Sequence, residues 1–121
     1  MDNKFLKFII VGLTNSFLTL IMIILLNKYS NLWYVISNFI GFFIGFINSF
    51  FLNKIWTFKN KNKFLKTFLL FNFIFLINYS CNLGAIYLFN FIGFDVIYSQ
   101  IGGAILYLIL GYYLNKEIVF K

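Results

Sequence analysis

Four stretches of the chain carry no charged side chain: Phe8 to Leu26, Leu32 to Leu52, Thr67 to Phe89 and Val96 to Leu114. They are 19, 21, 23 and 19 residues long, and all ten lysines and three acids fall outside them. A helix of about 20 apolar residues crosses the hydrocarbon core of a bilayer. In lipid every backbone amide has to be paired within its own helix. The pattern therefore predicts an all-α integral membrane protein with four transmembrane helices over about 8–26, 32–52, 67–89 and 96–114. The longest polar segment, Asn53 to Lys66, is only a loop, so residues 1–121 read as one four-helix membrane domain with no catalytic domain attached.

Composition agrees. The chain is 62% apolar before glycine is counted and 11% charged, whereas soluble domains sit near ~45–50% apolar with glycine included. A single Cys permits no intrachain disulfide, and the absence of His removes the usual metal clusters and His-based acid–base chemistry. No metal site, cofactor or enzymatic centre is expected. The first span follows Lys4 and Lys7 as a secretory signal would, but it is longer than a usual signal core and no A-x-A site follows.

The lysines set an orientation. Lys4 and Lys7 precede the first span, Lys54, Lys59, Lys61, Lys63 and Lys66 separate the second from the third, and Lys116 and Lys121 follow the fourth. Only Lys28 lies on the other side, with Asp95. Cytoplasmic loops are enriched in lysine, so both termini are expected in the cytoplasm, with outer loops at about Asn27 to Asn31 and Asn90 to Asp95. The formal charge of +7 follows this topology rule, and nucleic acid is not an expected partner.

The two halves repeat. Lys4-Phe5-Leu6-Lys7 recurs as Lys63-Phe64-Leu65-Lys66. At an offset of 62, Ser37 matches Ser99, Gly41 matches Gly103, Leu52-Asn53-Lys54 matches Leu114-Asn115-Lys116, and Phe58-Lys59 matches Phe120-Lys121. Two spans per half make these parallel repeats, with both Asn-Lys ends at the cytoplasmic surface. Ser37, Gly41, Gly45 and Ser49 form a small-residue stripe that admits a close helix neighbour, and Gly103 and Gly12 join the candidate packing residues. In span four bulky Tyr107 interrupts the corresponding stripe, as packing or as the lining of a path.

Asn15, Asn48 and Asn78 lie within spans, among further amides and hydroxyls. At about 1.5 Å per helical residue, Asn48 sits about 7 Å inward of Asn53, Asn15 about 12 Å inward of Lys7, and Asn78 about 18 Å inward of Lys66. Such amides either join helices or offer hydrogen bonds to a neutral hydroxylated solute. They suit proton coupling poorly: Asp2, Asp95 and Glu117 all lie outside the spans, which argues against a small multidrug exporter built on an embedded carboxylate. Lys54 and Lys116, each preceded by Asn (Asn53, Asn115), end spans two and four, where an ammonium either reaches solvent or binds a lipid phosphate. Trp56, Phe58 and Phe120 stand at headgroup depth beside them, as interface anchors or binding elements.

These residues resemble the GtrA-like family. The resemblance rests on Gly12-Leu13-Thr14-Asn15-Ser16 in span one, Asn48-Ser49-Phe50-Phe51-Leu52-Asn53-Lys54-Ile55-Trp56-Thr57-Phe58 closing span two, and Leu114-Asn115-Lys116-Glu117-Ile118-Val119-Phe120 closing span four. It covers essentially the whole chain. Ile118 stands where the last element often has Trp, and Lys at 54 and 116 replaces the commoner Arg, which weakens bidentate phosphate binding. The resemblance implies a role in cell-surface polysaccharide synthesis: translocation of a polyprenyl-phosphate-linked sugar, such as an undecaprenyl-phosphate monosaccharide, across the cytoplasmic membrane after a separate glycosyltransferase has loaded the lipid. Lys54, Lys116, Asn53 and Asn115 would then hold the phosphate and Asn15, Asn48 and Asn78 the sugar, with membrane lipids around them. Four short helices enclose little volume, so a homodimer with the path between protomers is one expectation. The rival expectation is a non-transporting scaffold that holds the glycosyltransferase through the basic loop Lys54 to Lys66.

Overall fold

A computed structural model describes residues 3–121, and every element among them is helical. Asp2, read as lying outside the spans, falls outside the described residues. The chain forms two compact units, Met1–Lys59 and Asn60–Lys121, each a helical hairpin. The first holds α1 (Lys4–Tyr29) and α2 (Tyr34–Leu52), and the second α3 (Phe64–Ile92) and α4 (Val96–Leu114). Each hairpin closes in a five-residue π-helical turn, Asn53–Thr57 after α2 and Asn115–Val119 after α4. With these turns included, all four helices are long and apolar enough to cross a membrane.

Local chemistry fixes the ends. Asn3 caps α1 by accepting from the Leu6 amide at 3.0 Å, and Asp95 caps α4 by accepting from the Val96 amide at 2.8 Å. Gly93 ends α3 in the left-handed region at φ 110°. Its amide donates to the Asn90 carbonyl and the Phe94 amide to the Phe89 carbonyl, the paired closure that glycine makes without steric cost.

The helices outrun the charge-free stretches. α1 includes Lys4, Lys7 and Lys28, and α3 includes Lys66. Charge limits the depth at which a residue sits in lipid, not whether its backbone is helical, and a lysine stem carries the ammonium outward. The polar segment Asn53 to Lys66 is likewise shorter as a loop than its sequence indicates, since π-helical backbone continues to Thr57 and α3 starts at Phe64.

Close approach holds each hairpin together. A Cβ added at Gly41 would come 2.6 Å from Ile23 Cγ1 and 3.2 Å from the Thr19 carbonyl oxygen, and one at Gly45 would overlap Thr19 Oγ1. In the second hairpin a Cβ at Gly103 would lie 2.6 Å from Ile86 Cγ1 and 2.7 Å from Asn82 Oδ1. Gly12 does not act this way: a Cβ there meets nothing within 4 Å. Its place beside Asn15 in the sequence does not bring it onto the α1–α2 seam.

The internal contacts also set the register between the halves. Asn15, Thr19 and Ile23 flank Gly45 and Gly41, and Asn82 and Ile86 flank Gly103. Phe8 meets Phe58 at 6.3 Å between ring centroids, and Phe71 meets Phe120 at 6.0 Å. The first helices thus correspond at an offset of 63, with Asn15 matching Asn78, whereas the repeated Lys-Phe-Leu-Lys tetrapeptide gives 59. The difference is one helical turn. α3 carries three helical residues, 64–66, ahead of the position that matches the start of α1.

Candidate functional site

The two π-helical turns are the most distinctive local structure in the chain. In each, the first residue is Asn and its backbone carbonyl accepts from the amide five residues on: Phe58 to Asn53 at 2.9 Å, Phe120 to Asn115 at 2.8 Å. A π-turn inserts one residue into a helical turn and recurs at functional positions. Here it ends with a buried aromatic, Phe58 or Phe120, seated against the first helix of the same hairpin through Phe8 or Phe71. Lys54 and Lys116 occupy the second position of each turn and are part-exposed.

Asn53 and Asn115 are buried, at 2% and 7% exposure. Asn115 donates from Nδ2 to the Gly111 carbonyl at 2.7 Å, and a carbonyl can only accept, which fixes the amide's orientation. Asn53 donates likewise to Ser49 Oγ at 3.3 Å. What remains in both is a second Nδ2–H and an Oδ1 with no partner. An ionised phosphate needs donors, and the second amide N–H of each side chain is of that kind. The two side chains pin the turn on which each lysine rides.

Each hairpin gathers its lysines at the end where its π-turn sits. Lys7 Nζ lies 5.4 Å from the centroid of the Trp56 ring, within cation–π range, while Lys28 lies at the far end of α1. In the second hairpin Asn62 donates to the Lys121 carbonyl at 2.9 Å, tying the approach to α3 to the segment after the turn, while Asp95 caps the far end of α4. Lys116 Nζ is 3.8 Å from Glu117 Oε1 and 6.0 Å from the centroid of Tyr112. Trp56 is itself exposed, and Phe58 and Phe120 are buried, which separates the three aromatics into one surface ring and two internal plugs.

The intramembrane amides divide by what they bond. Asn38 and Asn72 donate to carbonyls four residues back on their own helices, at 2.8 Å each, which spends their polarity locally. Asn78, only 4% exposed, instead crosses the seam to donate to the Tyr107 carbonyl at 3.0 Å. Asn15 lies beside Gly45. Among the amides within the spans, buried atoms without a partner include Asn15 Oδ1 and Asn48 Nδ2 in the first hairpin and Asn78 Oδ1 and Asn82 Oδ1 in the second. Sequence reasoning put Asn15, Asn48 and Asn78 forward as sugar contacts, and it missed the seam role of Asn82 and the buried Thr57. Thr57 is fully buried with Oγ1 unpartnered. The offset-62 alignment places it opposite Val119, a polar-for-apolar difference that was already visible in the sequence.

A family model described as GtrA/DPMS, transmembrane domain, matches residues 7–120. No curated protein matches the chain.

Proposed function

The chain belongs to the GtrA/DPMS transmembrane-domain family, and from that premise we propose that it moves a polyprenyl-phosphate-linked sugar across the cytoplasmic membrane for cell-surface polysaccharide synthesis. The observation that carries the reading is the π-helical Asn-Lys turn that closes each hairpin. It holds a lysine at the edge of the apolar helix, where an ammonium meets a lipid phosphate. The buried Asn and Phe on either side restrain it, so less ordering is needed when the phosphate arrives.

Both hairpins enter the membrane in the same direction, with both termini and both Asn-Lys turns in the cytoplasm. Asn15, Asn48 and Asn78 offer hydrogen bonds to the sugar, and the polyprenyl tail stays against the exposed Phe, Ile and Leu side chains of the outer faces. The test is reconstitution in liposomes with Lys54→Ala plus Lys116→Ala. Slowed transbilayer movement supports the phosphate assignment, and unchanged movement discards it. A wild-type protein that moves no lipid-linked sugar yet co-purifies with a glycosyltransferase replaces transport with scaffolding.

A further inference from the structure

We propose that the start of α3 seats one anionic glycerophospholipid, its phosphate held by Lys63 and Lys66 and the upper part of an acyl chain laid on Leu65, Leu69 and Leu70. The inference goes beyond the transport reading and does not depend on it.

The first observation is the groove. A cavity of about 510 Å³ is lined by Lys63, Leu65, Lys66, Leu69 and Leu70, all on the second hairpin. Lys63 and Lys66 are three residues apart, and Leu65 with Leu69 and Lys66 with Leu70 are four apart, the spacings at which side chains on a helix are neighbours. Both lysines, Leu65 and Leu69 are exposed. At about 1.5 Å per residue the groove runs roughly 10 Å from Lys63 to Leu70, whereas one leaflet holds about 15 Å of hydrocarbon, half of the bilayer core. That length fits the headgroup and first methylenes of a lipid in one leaflet, and it is too short for a path across the membrane.

The second observation is where this turn stands in the fold. Residues 64–66 are the helical turn that α3 carries ahead of the position matching the start of α1. The buried residues of α3 begin at Thr67, whose Oγ1 donates to the Lys63 carbonyl at 2.9 Å. The turn ahead of Thr67 therefore takes no part in the α3–α4 seam and presents its side chains outward.

The third observation is charge. The end of the hairpin that holds this turn carries Lys61, Lys63, Lys66, Lys116 and Lys121 against one carboxylate, Glu117, which lies 3.8 Å from Lys116 Nζ. α1 and α4 are capped by Asn3 and Asp95, but no side chain caps α3 and no acid stands in its first turn, so the partial positive charge of the helix end adds to that of the lysines. Each ammonium offers three donors, and charge-assisted bonds to phosphate oxygens are the strong class of hydrogen bond. A zwitterionic headgroup would bring a cation of its own to the same place.

The test is native mass spectrometry of the full chain in detergent, titrated with phosphatidylglycerol. One molecule should bind ahead of the rest, about tenfold or more tighter than phosphatidylcholine with the same chains. Lys63→Gln plus Lys66→Gln should weaken it about twentyfold, the product of about fivefold for each lysine beside an anionic headgroup. Lys61→Gln plus Lys121→Gln removes the same charge outside the groove and should stay within about twofold. All four lysines are exposed, so neither double variant disturbs the hairpin. Leu69→Asn keeps both cations and should weaken binding about fivefold, the loss of part of one apolar side-chain contact. Equal losses in the two double variants, no loss in the Lys63/Lys66 variant, or equal binding of phosphatidylcholine overturn the proposal. So does displacement of the bound lipid by glycerol 1-phosphate, which would make the site one for the phosphate group alone. Displacement by polyprenyl phosphate at lower concentration than phosphatidylglycerol itself overturns it as well, by assigning the groove to the carrier.

Discussion

Asn78 donates from Nδ2 to the backbone carbonyl of Tyr107 across the α3–α4 seam at 3.0 Å. Interhelical amide bonds in membranes stabilise a bundle by about 0.6 to 2 kcal/mol. Asn78→Leu should therefore lower stability in mild detergent by about 1 kcal/mol. Asn72→Leu removes a bond made only to the helix's own Phe68 carbonyl and should change it by less than half as much. Thermal unfolding of the two variants side by side checks the difference.

Gly45 and Gly12 should part company in the same assay. Gly45→Ala places a methyl on Thr19 Oγ1, and overpacking of this kind costs about 1–3 kcal/mol. Gly12→Ala enters open space and should be neutral or slightly stabilising, since alanine is the better helix former. A Gly12 variant as damaged as the Gly45 variant would contradict the seam described for the first hairpin.

The sequence made the four helices legible because lipid excludes charge: every lysine and acid marks an end, and the uncharged runs have to be helical. It also displayed the Asn-Lys ends and the small residues on α2. The π-turns were not legible. Asn53 to Lys66 is polar, and polarity reads as loop, whereas what extends the helix to Thr57 is long-range: the seating of Phe58 on Phe8. The register of α3 misled for a related reason. Its Lys-Phe-Leu-Lys copy lies one turn ahead of the seam, and only the contacts of Phe71, Asn82 and Ile86 place it.

Asn53 and Asn115 should prove to be positioning residues. Asn115→Leu removes the bond to Gly111 and a buried unpartnered oxygen together, so stability should fall by no more than about 1 kcal/mol. Asn115→Asp leaves a carboxylate facing the Gly111 carbonyl with no donor to offer, and should cost several kcal/mol or raise the group's protonation to avoid it. Yield and unfolding midpoint of the two proteins distinguish these outcomes.

Orientation is tested with single cysteines in a Cys81→Ser background. Lys28→Cys and Asp95→Cys should react with a membrane-impermeant thiol reagent added to intact cells, and Asn62→Cys and Lys121→Cys should react only after the membrane is opened. The reverse pattern would place both Asn-Lys turns outside, away from a cytoplasmic glycosyltransferase.

The most direct measurement is transbilayer movement itself, with purified protein in liposomes that carry a polyprenyl-phosphate-linked sugar in both leaflets and an impermeant enzyme or oxidant outside that consumes only exposed sugar. The account predicts that the inner pool becomes accessible in protein-containing vesicles much faster than in empty ones, and that Lys54→Ala plus Lys116→Ala slows it. An inner pool that stays protected to the same degree with and without the protein would contradict it.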